Sequence, residues 1–543
     1  MTSGSNLVRA LQSTIRHSGR RPAMLDRARC YTWAEFGERV ARLAGAFRFM
    51  GIDTGTRYAI ISRNGFRAEE LKWAGLWLRA VPVPVNWRLA PPEIAHMLAD
   101  AECRAIFAET EFLRLFEHPA LAAWVGKLMM FGSASGVDAT IYESMVASTE
   151  AVTETDADPD EDALLLYTGG STGRSKGVRL SHANILSNAL EIGLGLGARR
   201  QDVYLHAAPM FHSGDLIATA WLLLGAAHCY LPAYAPEAFL EAIVLHRVSA
   251  MTAVPTMLIE AIRHPGFSSF DVSGVRLVFF GSAPTAFEWI ERFARAFSRA
   301  DLATGYGLTE AAPIVTIFDA RELRAAIEEA RRSGRRDGRV LSVGKPNLLN
   351  ELRIVGTDGR DVAAGQVGEI AARGPNVMKG YLNLPEATGE VLQNGWLRTG
   401  DIGSIDEDGH LYLLDRAKDM LISGGENIYS TEVEQALYRH PAVAEAAVIG
   451  VPDERLGETV MAVVVPAPGA RPSEDELRDH CREWLGGYKV PRRFAFVEAL
   501  PRSAFGKVLK PALRTQFGQP FAFSADGEKV WQDGDERMAA AGR

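Results

Sequence analysis

Short apolar runs alternating with alanine-rich stretches constrain this chain more than any other feature. RYAIISRNG from Arg57, PVPVNWRL from Pro82, CRAIFAE from Cys103 and VRLVFFGSA from Val275 each read as a buried strand. Between them lie segments such as WAEFGERVARLAGAFRFMG from Trp33, whose apolar spacing is helical. This pattern predicts an α/β fold with largely parallel sheets. After about residue 345 the texture changes to glycine-punctuated short strands, NELRIVGTDGRDV, GEIAARG and GHLYLLD, which predict a smaller β subdomain. A new α/β unit begins near DRAKD at Asp415, where the helix STEVEQALYRH alternates with the strands VAEAAVIGV and TVMAVVVP. The fold class is therefore a large multi-layer N-terminal domain with a β subdomain, plus a small C-terminal α+β domain. The last thirty or so residues lack periodicity and read as a tail.

At 543 residues the chain exceeds a single core, and its length suggests roughly two to four domains. A composition 47% hydrophobic and 23% charged is that of a globular protein, and the net charge of -8 argues against general nucleic-acid binding. The four cysteines, Cys30, Cys103, Cys229 and Cys481, form no CxxC pair or disulfide framework, so a reducing cytoplasm is the expected setting. The longest apolar run, LIATAWLLLGAAHCYL from Leu216, is short for a membrane span and carries His228; it reads as a buried helix running into a strand. Leu7, Leu11 and Ile15 describe an amphipathic N-terminal helix rather than a targeting signal. The charged segment RELRAAIEEARRSGRRDGR from Arg321 reads as a solvated surface helix and loop.

The stretch YTGGSTGRSKGV, Tyr167–Val178, admits three chemical readings. A Walker loop needs Gly-Lys followed by Ser or Thr, whereas Lys176 is preceded by Ser175 and followed by Gly177. A nucleophile elbow, G-x-S-x-G, is literally present at Gly169, Gly170, Ser171, Thr172 and Gly173, but it leaves Arg174 and Lys176 unused. An anion loop uses every residue: glycines let successive N–H groups converge, the hydroxyls of Thr168, Ser171 and Thr172 add donors, and Lys176 adds charge. The bland alternative is a solvated turn between a strand and the helix starting SHANIL, and the loop alone does not decide.

Further motifs stand in order along the chain: GSAPTA at Gly281, TGYGLTEAAP at Thr304, GWLRTGD ending at Asp401, DRAKDMLISGGENIYSTEVE from Asp415, and LPRSAFGKVLK containing Lys507. Together with the glycine loop, this set resembles the adenylate-forming superfamily of acyl-CoA synthetases, peptide-synthetase adenylation domains and luciferases. The resemblance spans about residues 5–514. It implies an adenylation domain over residues 1–414, a hinge at 415–418, a mobile C-terminal domain over 419–514 and a tail at 515–543.

The implied reaction joins a carboxylic acid to ATP with Mg2+, releasing pyrophosphate, and then passes the acyl group from the adenylate to a thiol. The resemblance assigns residues 168–177 to the β- and γ-phosphates, although Gly170 stands where the family commonly has serine and Ser175 where it has proline. It assigns Tyr306 to adenine stacking, Thr309 to a phosphate contact and Glu310 to Mg2+. Gly281, Ser282 and Ala283 would run along the adenine and line the acyl pocket, with Ala218, Trp221, Ala311 and Ala312 completing an apolar lining. Asp401 and Arg416 would hold the ribose, and His212 would gate or orient beside the carboxylate and thiol channel. Lys507 would hold the carboxylate and α-phosphate oxygens for in-line attack. Lys418 matches the hinge, while Gly424 and Gly425 match the loop that replaces Lys507 for thiol transfer.

The expected product is a CoA thioester of an apolar aliphatic or aryl acid. A carrier-protein thiol, an amine or nitrite activation are alternative fates of the adenylation chemistry, and a non-catalytic nucleotide-binding protein is the different-class alternative. The sequence leaves the oligomeric state open.

Overall fold

The computed structural model describes all residues except 1–4, 27–28, 133–136, 155, 169–174, 284, 335–338, 357, 417–418, 425, 454, 503–507, 519–521, 524–528 and 531–543. Two compact units divide the chain. The larger comprises Met1–Val355, Ala371–Thr399 and Ile405–Tyr412; the smaller comprises Gly356–Ile370, Gly400–Ser404 and Leu413–Arg543. The chain thus crosses between units several times rather than once, because residues 356–370 and 400–404 cluster with the C-terminal part.

The larger unit is built on a nine-stranded sheet. Six neighbouring strands run parallel, in the order Asp301–Gly307, Leu277–Phe280, Ala250–Ala253, Val203–His206, Ala227–Tyr230 and Pro22–Leu25. Antiparallel strands close both sides. The sequence LVFF at Leu277–Phe280 explains why these strands read as continuous apolar runs: Val278 and Phe280 enter the core on one face, and Leu277 and Phe279 enter the core on the other. A second sheet, Val81–Pro84, Arg57–Ile61, Ala105–Glu109 and Leu128–Phe131, is wholly parallel.

The run from Leu216 is the expected helix, Gly214–Leu224, leading into the strand Ala227–Tyr230. Among the described residues, no helix is long and apolar enough to cross a membrane. The N-terminal helix Leu7–Ser18 buries Leu7 and Leu11, and residues 321–333 of the charged segment lie in the helix Ala320–Ser333, which buries only Leu323, Ala326, Ile327 and Ala330.

The smaller unit carries a five-stranded sheet centred on the hairpin Val443–Asp453 and Gly457–Pro466. Its two faces again divide by alternate residues. Val448, Val460, Ala462 and Val464 pack against the helices Ser430–Tyr438 and Glu474–Trp484, while Ile449, Val451, Met461 and Val463 pack against Leu513 and Phe517. Leu513 and Phe517 belong to a third helix, Lys510–Phe517, which runs three residues past position 514.

Candidate active site

In open parallel sheets, ligands bind beyond the carboxyl ends of the strands, where loops diverge. Here the registers Phe280↔Thr304 and Ala253↔Phe280 align the ends of neighbouring strands, so the segments after Phe280 and Thr304 emerge side by side. A Cβ placed on Gly281 would lie 3.6 Å from the Gly305 carbonyl oxygen, and one on Gly307 would collide with the Pro313 carbonyl. Backbone therefore runs close to backbone at this edge, with no room for a side chain at Gly307. Ser282 turns the chain out with φ 71° and Ala283 is exposed, while the Tyr306 ring is buried and its N–H donates to Thr316 Oγ1 at 3.1 Å.

The glycine loop joins two antiparallel strands, Asp162–Thr168 and Lys176–Ser181, with Thr168 opposite Lys176. A second strand thus lies between the loop and the helix starting at SHANIL: the helix His182–Gly195 begins only after it, capped by Ser181 and Asn184 in a reciprocal box. A nucleophile elbow and a Walker loop both require strand, turn, then helix. The hairpin meets neither requirement, so the anion loop and the solvated turn are the two readings that its flanking strands allow. Gly169, Gly170, Ser171, Thr172 and Gly173 themselves lie outside the described residues, as do Lys418, Gly425 and Lys507.

Lys176, at the foot of the loop, holds its ammonium 4.9 Å from the centroid of the Tyr381 ring. The Tyr381 hydroxyl donates to Glu310 Oε1 at 2.9 Å. Thr309 donates to Ser213 Oγ at 3.3 Å, which brings the Thr309–Ala311 turn to the loop carrying His212. The His212 ring lies 4.8 Å from Phe211. Thr168, Lys176, His212, Tyr306, Thr309 and Glu310 thus lie on linked segments of the larger unit. Trp221 does not join them: its indole N–H donates to Asp202 Oδ2 at 2.8 Å, at the opposite end of the sheet, and it is removed from the pocket lining.

In the smaller unit, Arg416 Nε lies 2.7 Å from Asp401 Oδ1, with Asp401 only 5% exposed and Arg416 46% exposed. A buried carboxylate beside a half-exposed guanidinium is a preformed acceptor and donor for vicinal hydroxyls. Next in sequence, Asp415 accepts from Ser430 N and Oγ, both at 2.6 Å, and so pins the start of the helix Ser430–Tyr438. Gly424 takes φ 60° and donates its N–H to the Leu456 carbonyl.

Two features escaped the sequence reading. One is Tyr381. The other is a buried chain of charges behind the His212 loop, in which Lys72 Nζ contacts Asp215 Oδ2 at 2.8 Å and Glu69 Oε1 at 2.9 Å. Asp215 Oδ1 then meets His206 Nδ1 at 2.9 Å, and His206 Nε2 meets His228 Nδ1 at 2.9 Å. Burial would raise the Asp215 carboxyl, but Lys72 and His206 outweigh it and hold it well below the usual carboxylate range. Asn64 completes the scaffold by donating to the carbonyls of His206 and Ala208 and accepting from Met210 N. No sequence pattern exposes such a chain, since Lys72 and Asp215 lie 143 residues apart.

Comparison with known proteins agrees with this arrangement. The AMP-binding enzyme family model matches residues 11–382, and the AMP-binding enzyme C-terminal domain matches residues 432–507. The chain is 39% identical over 492 residues to the feruloyl-CoA synthase of an Amycolatopsis species, covering 90% of this chain and 94% of that protein. It is 35% identical over 508 residues to the indoleacetate–CoA ligase of Aromatoleum aromaticum, covering 92% and 96%. Its fold superposes on the crystal structure of ATP-bound MatB from Rhodopseudomonas palustris with a TM-score of 0.84 at 28% identity, covering 94% of this chain and 99% of that one.

Proposed function

The chain belongs to the AMP-binding enzyme family, and from that premise we propose that it activates an apolar aryl carboxylic acid, using the residues assembled above. It is an AMP-forming acid–CoA ligase, whose co-substrates are ATP with Mg2+ and CoA. In the first half-reaction a carboxylate oxygen attacks the α-phosphorus and pyrophosphate leaves; in the second, the CoA thiol attacks the acyl carbon and AMP leaves.

The observation that carries the residue assignments is the Lys176–Tyr381–Glu310 cluster beside the phosphate hairpin. A triphosphate approached by a carboxylate accumulates negative charge, so preorganised donors and cations at that point lower the barrier. The loop from Thr168 to Gly173 and the Lys176 ammonium meet the outer phosphates. Thr309 adds a hydroxyl, Tyr306 stacks on the base, and Gly281–Ala283 run beside it. Among the described residues, the hydrogen bond to the Glu310 carboxylate comes from a neutral hydroxyl rather than from a cationic side chain, an arrangement that fits an oxygen ligand for a hard cation. Glu310 is the residue that would hold Mg2+, and the bound metal supplies charge neutralisation across the phosphate oxygens.

Asp401 accepts from the ribose hydroxyls, with Arg416 beside it. Lys507 holds the carboxylate and α-phosphate oxygens, while Gly424 and Gly425 leave room for the pantetheine arm. His212 orients the acid. We read residues 415–418, including Lys418, as the hinge between an adenylating domain of residues 1–414 and a mobile domain of residues 419–514, followed by a tail. An aryl acid is favoured because the feruloyl and indoleacetate ligases both share more than a third of their aligned residues with this chain. Ala311 and Ala312 offer the small apolar surface such a ring needs. We place the reaction in the cytoplasm, where ATP and CoA are supplied.

The test is a panel of aryl, aliphatic and dicarboxylic acids with hydroxamate capture of the adenylate, repeated with CoA or a pantetheinylated carrier protein and thioester detection by mass. Aryl acids should rank first and CoA should accept. Preference for a long aliphatic acid, or thioester only on the carrier, overturns the proposal.

A further inference from the structure

Lys176 and Glu310 carry opposite charges and both touch one side chain, yet the described ion pairs do not join them. The side chain between them is Tyr381, with the Lys176 ammonium over its ring at 4.9 Å and its hydroxyl on Glu310 Oε1 at 2.9 Å. We propose that Tyr381 is a positioning residue for adenylation, holding the phosphate-loop lysine and the metal-binding glutamate apart and in register without neutralising either. The proposal rests on the reading of Glu310 and Lys176 given above.

The physical case begins with what each contact leaves unspent. An aromatic face attracts an ammonium through its quadrupole but does not cancel its charge, so the lysine remains available to an anion. A phenol hydroxyl orients a carboxylate in the same way, leaving the negative charge for a cation. A salt bridge between Lys176 and Glu310 would instead satisfy both groups with each other and oppose the entry of a Mg-triphosphate.

The backbone around Tyr381 is built to keep it there. Residues 375–382 form a strap across three elements. Asn184 donates to the carbonyls of Pro375 and Val377 at 2.7 and 2.8 Å, and Asn376 donates to the Ala311 carbonyl at 2.7 Å. Met378 N donates to the Glu310 carbonyl at 2.8 Å, while Lys379 N and Leu382 N donate to the carbonyls of Arg179 and Gly177 on the hairpin. Gly380 has φ 140°, and a Cβ there would lie 2.7 Å from Thr388 Cγ2; Thr388 Oγ1 in turn accepts from Tyr381 N at 2.9 Å. One strap therefore binds both the hairpin that carries Lys176 and the turn that carries Glu310, and Tyr381 is the side chain it delivers to both.

Titration calorimetry of ATP, in Mg2+ and in EDTA, tests the assignment on the full chain. In wild type, Mg2+ should tighten ATP binding. Tyr381→Phe keeps the ring and loses the hydroxyl, so it should forfeit about five- to tenfold of the Mg2+-dependent tightening while EDTA affinity stays within about twofold. Tyr381→Leu also removes the ring and should weaken ATP in both buffers, with thermal melts of both variants establishing that they fold. Glu310→Gln separates the two levels. If Glu310→Gln abolishes the Mg2+ effect and Tyr381→Phe leaves it intact, this proposal is overturned and the role of Glu310 stands. If Glu310→Gln leaves the Mg2+ effect unchanged, the role of Glu310 falls and the proposal with it.

Discussion

The two ends of the central parallel strands differ in how their polar groups are used. At the amino end, Asp202 receives Arg276, the Trp221 indole and Ser249 Oγ, and its carboxylate is 3% exposed. Burial would raise this carboxyl, but Arg276, the Trp221 indole and the Arg199 N–H outweigh it and hold it below its ordinary value. At the carboxyl end, Lys176 and Glu310 rest on a single tyrosine, and the turns at Ser282 and Ala283 face solvent. The same strands thus anchor the closed Asp202 network at one end, while at the other an open pair of charges stands in front of the buried Lys72–Asp215–His206 chain. A closed network contributes to folding; an open one leaves its charges for a ligand.

Asp202→Ala gives the largest effect expected from this contrast. It strips the charged partner from Arg276 and leaves the Trp221 N–H buried and unpaired, so stability should fall by about 3–5 kcal/mol. Adenylation per folded molecule should hold, measured as hydroxamate yield normalised to the folded fraction from denaturant titration. A loss of catalysis with unchanged stability would reverse the assignment of the two ends.

Glu310→Ala is the mirror experiment. Removing a charge that acts on the developing transition state should slow adenylation by about 10²–10³-fold, with the melting temperature nearly unchanged. Pyrophosphate release at saturating ATP measures the first quantity and a thermal melt the second. A large drop in melting temperature would place Glu310 with Asp202 among the structural acids.

A smaller change is expected at Asp401, where the carboxylate is already paired with Arg416. Asp401→Ala should raise the KM for ATP by about tenfold, from lost charge-assisted hydrogen bonds, and leave the ranking of acids as it was. Altered acid ranking with unchanged ATP affinity in calorimetry would remove Asp401 from the ribose.

What the sequence made legible follows the same division. Apolar strands buried on both faces, such as Leu277–Phe280, announce themselves by composition, and the helix-to-strand run from Leu216 was readable for that reason. The strand Lys176–Ser181 was not. Its apolar alternation is confined to Val178 and Leu180, too short to stand out, and Arg179 between them, opposite Leu165, reaches diagonally to Asp162 at 2.8 Å, a pairing of charges that the sequence does not display. Thr309 and Glu310 could be named because they sit inside a motif. Tyr381 occupies a two-residue strand and makes its contacts with residues 71 and 205 positions away, so nothing local marks it. Trp221 was misplaced for a related reason: a tryptophan on an apolar helix looks like pocket lining until its N–H is seen to reach Asp202.

Glu109 offers the subtlest test, because it lies at the carboxyl end of a strand and yet is buried. It terminates Ala105–Glu109 in the second parallel sheet, is 5% exposed, and accepts from Arg63 N at 3.1 Å, while the Arg63 guanidinium is committed to Glu111. Burial pushes its carboxyl up to about 7, with the Arg63 N–H opposing and the nearby Glu111 charge adding to the rise. The sign follows from proton linkage. A carboxyl whose folded value lies above its unfolded one contributes its stability fully below about pH 4.5 and loses it as pH rises through about 7. Glu109→Gln keeps a carbonyl for the Arg63 N–H and cannot ionise, so the variant should match wild type near pH 4.5 and exceed it by about 3 kcal/mol at pH 8. Asp202→Asn should do the opposite, costing stability at pH 8 and progressively less as acid protonates the native carboxylate. Denaturant titrations across pH 4.5–8 measure the Glu109 slope, and the same titrations carried below pH 3.8 measure that of Asp202. A flat difference between Glu109→Gln and wild type would mean that Glu109 stays ionised in the fold, and the rule that buried acids without a dedicated cation are kept neutral here would fail.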